Sequence, residues 1–330
     1  MPDVTPWAAI DSLARLAPTP HNTQPFRIRP RDERSADIVA LPERFLPRED
    51  HGNLYVASSF GILAAAMERA AGCQGYELSV SPRPDIDPGA LTRSRARTVL
   101  GTATITGTRP VDGQTDLLDA RRTSRIPYRD APVDPAAISG LEQIAVAAGH
   151  RFIAYGDRSI VDPLLRLNAA AIVDNLQLDD ERREIRGWYR LGPTPRYGDG
   201  LWQQPMNQPA WELWAAFAMP RVFALPGFKQ FAIHRYLRTQ LGTRHIGLLC
   251  GPFLRWPDLV SAGRMLMAFW LEMARHSVYM QPMGSMLTNP VYAAEIARRF
   301  GVDDCWLVIR FGYCDVPPRA PRLESILIDE

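Results

Sequence analysis

The sequence predicts an α+β fold on three observations. A pair of short alternating runs lies near the N-terminus, a second pair of strand-like runs flanks a Pro- and Arg-rich stretch, and apolar-periodic helices fill most of the remainder before one last apolar strand. At 330 residues, 46% hydrophobic and 22% charged, the chain can bury a sizeable core as one large domain or as two intimately packed halves.

The elements follow in order. Trp7, Ile10, Leu13, Ala14 and Ala17 recur at helical spacing, and Pro18-Thr19-Pro20 stops that helix. Phe26–Arg29 and Ala36–Leu41 alternate as strands, and a long helix of small residues runs from Leu54 to Ala71, ended by Gly72. Tyr76–Val80 and Val99–Ile105 are two further strands, linked by Ser81–Arg97, and the first half closes near Gly113. The second half opens with a helix from Gln114 to Arg122 and another to Ala148 with Asp134 as its N-cap, then a strand over Arg151–Tyr155. Helical patterns cover Pro163–Trp188, an irregular segment runs from Gly192 to Pro209, and broken helical pieces reach Leu241. Asp258–His276 is a strongly amphipathic helix, Asn289–Phe300 a shorter one, and Cys305–Phe311 the final strand.

Composition narrows the function. The net charge is +2 with no long run of like charge, which argues against a nucleic-acid partner. Lys229 is the one lysine, so the basic complement is otherwise arginine, the side chain suited to bidentate recognition of anions. Cys73, Cys250, Cys305 and Cys314 form neither a zinc pattern nor a compact disulfide framework, and reduced thiols are expected. Met1–Pro6 shows no secretory pattern, which makes the cytoplasm the default address. The most apolar region, Trp211–Ile233, is broken by Pro220, Arg221, Pro226, Gly227 and Lys229, so no membrane span is expected there, and the region is taken as a lid or packing element.

Three segments carry chemistry. Pro18-Thr19-Pro20-His21-Asn22-Thr23-Gln24-Pro25-Phe26 takes a helix end through a polar turn into a strand. It resembles the flavin loop of the nitroreductase family, a Pro-Ser-x-x-Asn-x-Gln-Pro-Trp run, with Thr19 in place of Ser and Phe26 in place of Trp. Arg121-Arg122-Thr123-Ser124-Arg125 is similar to the same family's Arg-Arg-Ser-x-Arg motif, and a dianionic phosphate suits two or three Arg donors beside a hydroxyl. Pro282-Met283-Gly284 resembles the turn that passes the flavin's N5 edge, with Met283 where the family often has an acid or polar residue. Arg319 and Arg322 look like its basic tail. Taken without the resemblance, Asn22 and Gln24 would be turn residues and the arginines a solvated helix end and surface.

The resemblance implies an α+β nitroreductase-like fold, a central mostly antiparallel sheet flanked by helices. The flavin loop precedes the Arg-rich motif here, the reverse of ordinary nitroreductases. That order is similar to the Acg-type branch, in which one chain resembles a fused nitroreductase dimer. It implies a first half, residues 1–113, with the ring loop, and a second, 114–330, with the phosphate cluster and a lid at 188–209. The FMN-binding residues implied are Pro18, Thr19, Asn22, Gln24, Arg121, Arg122, Thr123, Arg125, Pro282, Met283, Gly284, Arg319 and Arg322. Tyr197, Asp199 and Trp202 either cover the flavin face or belong to a plain surface loop, and His21 is the one histidine placed to approach a substrate. No metal site is expected.

The function implied is an FMN-dependent oxidoreductase that takes hydride at N5 from NADPH or NADH and reduces a nitroaromatic, quinone-like or similar small acceptor, as monomer or homodimer. Oxidation of a small metabolite runs the same chemistry in reverse. The alternatives are an FMN-sequestering protein with a closed lid, or a structural protein with a dead flavin site.

Overall fold

Thr5 caps the first helix, α1 (Pro6–Ala14), by accepting from the Ala8 amide, and Trp7, Ile10 and Ala14 put its apolar face inward. In this computed structural model residues 5–329 are described, except 112, 114, 193 and 195. Met1–Val4, the expected helix start Gln114, and Pro193 and Pro195 of the irregular segment therefore lie outside the described residues.

The strands β1 (Phe26–Pro30), β2 (Ser35–Ala40), β3 (Tyr76–Pro82) and β4 (Thr98–Thr108) form one sheet in the order β1-β2-β4-β3, every pair antiparallel. In β1 the alternation reads directly: Phe26 and Ile28 are buried, while Arg27 and Arg29 are less so. Between β2 and β3 runs α2 (Leu54–Cys73), rich in Ala, Ser and Gly and buried along most of its length. Helix α3 (Thr115–Ala120) leads out of this half.

The second half repeats the plan. Helix α4 (Pro135–Ala147), capped by Asp134 through the Ala136 amide, precedes β5 (Arg151–Tyr155). An excursion follows through α5 (Arg158–Asn175), α6 (Asp179–Trp188), the two-stranded pair β6 (Tyr189–Arg190) and β7 (Leu201–Trp202), and then α7 (Gln203–Met206), α8 (Ala210–Ala218), α9 (Pro220–Ala224) and α10 (Pro226–Leu237). Then come β8 (His245–Cys250), α11 (Trp256–Arg275), β9 (Tyr279–Pro282), α12 (Ser285–Thr288), α13 (Pro290–Phe300) and β10 (Cys305–Gly312). The sheet order β5-β8-β10-β9 is again first, second, fourth, third, all antiparallel. Each half thus carries a helix, two strands, a 20-residue helix and two strands, and the second differs chiefly by the excursion between β5 and β8.

The α+β class and the mostly antiparallel pairing stand, the strands lying in two four-stranded sheets, one per half, beside the short parallel pair β6–β7. Strand β8 escapes the sequence reading because His245–Cys250 is almost wholly buried, which erases the period-two signal. The helical patterns over Pro163–Trp188 fall in two helices, α5 and α6, separated at Leu176–Leu178, with α5 beginning earlier, at Arg158. Cys73 and Cys250 are buried thiols, and Cys305 and Cys314 half-buried ones.

Helices α2 and α11 pack along one another, and side chains of both halves share one core. Phe60 on α2 is fully buried, edge-on to Phe26 of β1 at 6.1 Å and 5.1 Å from the Trp256 ring of α11. Truncating such a side chain costs about 3–5 kcal/mol. The C-terminal tail then crosses to the first half: Ile28 donates to Ile326 at 2.8 Å, Ile328 donates to Ile28 at 3.0 Å, and Ile326 donates to the Asp11 carboxylate. That crossing carries Arg319 and Arg322 back beside α3.

Candidate functional site

The polar turn after α1 is conformationally unusual. His21, Asn22 and Gln24 all adopt left-handed backbone with φ of 46°, 55° and 47°. Asn tolerates this region best, and the other two cost about 1–2 kcal/mol each. The turn is held by Asn22 donating to Thr19 O, Thr23 donating to Pro20 O, and the Gln24 amide donating to the Thr19 hydroxyl at 2.9 Å. Strained backbone this tightly determined is a mark of functional loops.

Against this turn lies a small, partly open cleft of about 80 Å³. It brings together Pro18, Thr19, His21 and Asn22 of the turn; Arg121, Arg122, Thr123 and Arg125 after α3; and Arg319 and Arg322 of the tail. Trp202, Pro205 and Met206 supply the opposite wall.

One end of the cleft is strongly cationic. Arg121 is buried, donates to the Leu16 carbonyl at 3.0 Å and lies 4.9 Å over the Trp270 ring, yet its Nε and Nη1 have no partner. Arg322 donates to Asn22 Oδ1 and to the Leu16 and Pro321 carbonyls, and its buried Nε is likewise unsatisfied. Burial first, then the neighbouring guanidiniums of Arg322, Arg122 and Arg319, hold Arg121 well below its ordinary pKa. Burial, Arg319 and Arg122 lower Arg322 to about 10. The outer two of the four, Arg319 and Arg122, are paired with Asp119, Arg122 at 3.7 Å. Four neighbouring guanidiniums, two of them paired with one carboxylate and two with buried donors to spare, suit a multiply charged anion.

Arg125 belongs to a different part of the cleft. Burial lowers its pKa, and its electrostatic neighbours are Tyr189, Tyr236, Arg310 and Tyr128. His21 contacts Glu49 through Nε2. Burial disfavours the imidazolium, but the Glu49 carboxylate outweighs this and raises the His21 pKa.

Asn22 and Gln24 act as clamps. Asn22 Nδ2 donates to Gly200 O at 3.2 Å and to Pro321 O at 2.8 Å, while Gln24 Nε2 donates to Gly198 O at 2.7 Å and its Oε1 accepts from the Leu323 amide. Both polar atoms of the Asn22 side chain are engaged by the 198–200 segment and the tail, and Asn22 lines the cleft. Asp199 is buried between Arg44 and Arg190, so it is a structural anchor rather than a cover for the cleft. Tyr197 is exposed beneath Arg190, 5.2 Å from that guanidinium, outside the cleft lining.

Pro282, Met283 and Gly284 do not line the cleft. The Met283 amide donates to Val308 O at 2.8 Å, and its side chain packs in a second core with Val161 and Val308. It is the Met280 carbonyl that meets the Arg-rich segment, accepting from the Ser124 amide at 2.9 Å.

Sequence reasoning missed Arg44, which also donates to Thr23 O at 2.6 Å, and Glu49, the partner of His21. Both arrive through loop packing. Among the described residues no cluster of His, Cys, Asp or Glu could hold a metal ion, and no helix is long and apolar enough to cross a membrane.

No protein-family model matches the sequence, and no curated protein does either. The structure is similar to solved nitroreductases. One is the FMN-dependent nitroreductase of Mycobacterium smegmatis in complex with NADPH, 20% identical over 64% of this chain and 93% of that chain, with a TM-score of 0.37. Another is a nitroreductase with bound FMN from Bacteroides fragilis, 10% identical over 67% and 100% of the chains, TM-score 0.38. A third, from Desulfitobacterium hafniense and also with bound FMN, is 11% identical over 66% and 96%, TM-score 0.36. Similarity of this degree is weak, and the functional reading rests on the cleft itself.

Proposed function

We propose that the protein is an FMN-binding oxidoreductase of the nitroreductase type, within its Acg-type single-chain branch, passing electrons from NADPH or NADH to a nitroaromatic, quinone-like or similar small acceptor in the cytoplasm. The observation that supports this most is Arg121: a buried guanidinium with two unsatisfied donors, surrounded by three more arginines, has a place for a phosphate. On this reading Arg121, Arg122, Arg319 and Arg322 hold the phosphate, with Thr123 adding a hydroxyl. The flavin, when bound, supplies hydride transfer. The chain's own part is to exclude water and orient the reactants between the 18–22 turn and the wall of Trp202, Pro205 and Met206. One chain makes one site, because both walls come from it.

A second reading, FMN sequestration with little turnover, is favoured by the clamping of segment 198–200 onto the turn by Asn22, Gln24 and Arg44. The visible spectrum of the purified protein, before and after anaerobic NADPH or NADH, tests both. A yellow protein bleached by either donor supports the reductase, and one that stays oxidised supports sequestration. A colourless protein that FMN cannot reconstitute overturns the proposal.

A further inference from the structure

The excursion between β5 and β8 ends in a cap of three helices, α8, α9 and α10, packed successively on one another. Its inner side is accounted for by Leu213 and Ile233, both buried. Its outer side is not: Trp211, Trp214, Met219, Leu225, Phe228 and Phe231 are each between 46% and 68% exposed. Trp211 and Trp214 share one face of α8, and Phe228 and Phe231 one face of α10, by their three-residue spacing. The cap is held in place, since Lys229 reaches Asp174 of α5 at 2.6 Å and Arg235 reaches Glu212 of α8 at 2.8 Å. The exposed aromatics therefore belong to an anchored surface, and an apolar patch of this kind marks a contact site.

Charge selects the partner. Over residues 210–241 the chain carries Arg221, Lys229, Arg235 and Arg238 against one acid, Glu212. Glu212 is occupied by Arg235, whereas Arg221 and Arg238 are exposed and make no ion pair among the described residues. Trp and Phe beside arginine suit the headgroup level of a bilayer, where the rings enter the interface and the guanidiniums meet anionic lipid. A second copy docked on the same patch by two-fold symmetry would set one basic rim against another.

We propose that the α8–α10 cap docks the protein peripherally on an anionic lipid surface. Among the described residues no helix is long and apolar enough to cross a membrane, and surface docking needs none. The test is co-sedimentation of the full chain with phosphatidylcholine vesicles and with mixed phosphatidylcholine–phosphatidylglycerol vesicles, alongside sedimentation velocity of the protein alone. Binding to the mixed vesicles is expected, weakened by salt and by R221Q with R238Q, and reduced about tenfold or more by W214A with F231A. Because these side chains are exposed, the variants should keep the wild-type thermal midpoint. Absence of vesicle binding overturns the proposal. So does a dimer abolished by W214A with F231A in a protein that ignores both vesicles, which would assign the patch to a second copy.

Discussion

Gly61 and Gly263 occupy equivalent places in the two halves: each is the eighth residue of a 20-residue helix, α2 and α11 respectively. A Cβ on Gly61 would fall less than 3.0 Å from the Val260 carbonyl oxygen, and one on Gly263 equally close to that of Ser58. Val260 and Ser58 are the fifth residues of the same helices. The helices therefore cross with each eighth position seated on the other's fifth, a pseudo-two-fold contact that only glycine permits on either side.

Gly61→Ala and Gly263→Ala are each expected to destabilise the fold by about 1–3 kcal/mol, because the obstacle is helix backbone that cannot step aside. Gly187→Ala in α6, where a Cβ meets nothing within 4 Å, should instead be neutral or stabilising by about 0.5–1 kcal/mol. Denaturant unfolding of the three variants measures this directly. Equal effects at all three positions would contradict the crossing.

Arg121→Met should have opposite effects with and without ligand. Removing a buried, incompletely bonded charge is expected to stabilise the free protein by about 1–4 kcal/mol. The same variant should lose the stabilisation that FMN gives the wild-type protein by mass action. Thermal melts with and without FMN decide it, and an FMN shift preserved in the variant would remove Arg121 from the phosphate site.

Asp199→Asn leaves Arg44 and Arg190 without their shared carboxylate and should loosen segment 198–200. Flavin release, followed by recovery of free-flavin fluorescence, is expected to accelerate about tenfold or more. Unchanged release would mean that the clamp does not gate the cleft.

Stability should be greater on the acid side of neutrality. Burial raises the Asp50 carboxyl from 3.8 to about 7, although the Val56 and Tyr55 amides pull it down. A carboxyl with a raised folded-state pKa favours folding while protonated, so its contribution is full below about 3.8 and is lost as pH rises through about 7. His21, raised above 6.5, has the same sign: its stabilisation is complete below about 6.5 and is lost through its higher folded value. Urea unfolding at about pH 5 and about pH 8 should show a loss of at most about 3 kcal/mol from Asp50, absent in Asp50→Asn. An unchanged slope in that variant would refute the assignment.

Much of the fold was legible because local periodicity encodes it. Strand β5 and the Asp134 cap were read from the residues alone, as was the apolar helix now seen as α11. The cleft residues Thr19, Arg121, Arg122, Thr123, Arg319 and Arg322 were legible as short motifs, and their convergence is what the structure adds. Met283 shows the limit: its motif was visible, but the pairing of its amide with Val308 depends on how β9 and β10 lie together.

The sequence by itself determined the local alternation of β1, the caps and turns, and the surplus of arginine at two distant stretches, since each depends on residues close together in the chain. Only the tertiary structure decided that Asn22 would be spent on Gly200 and Pro321, that Glu49 would take His21, and that Gly61 would seat beneath Val260. Those contacts join residues far apart in sequence, and no local preference specifies them; they arise when two halves of one chain bury a common core.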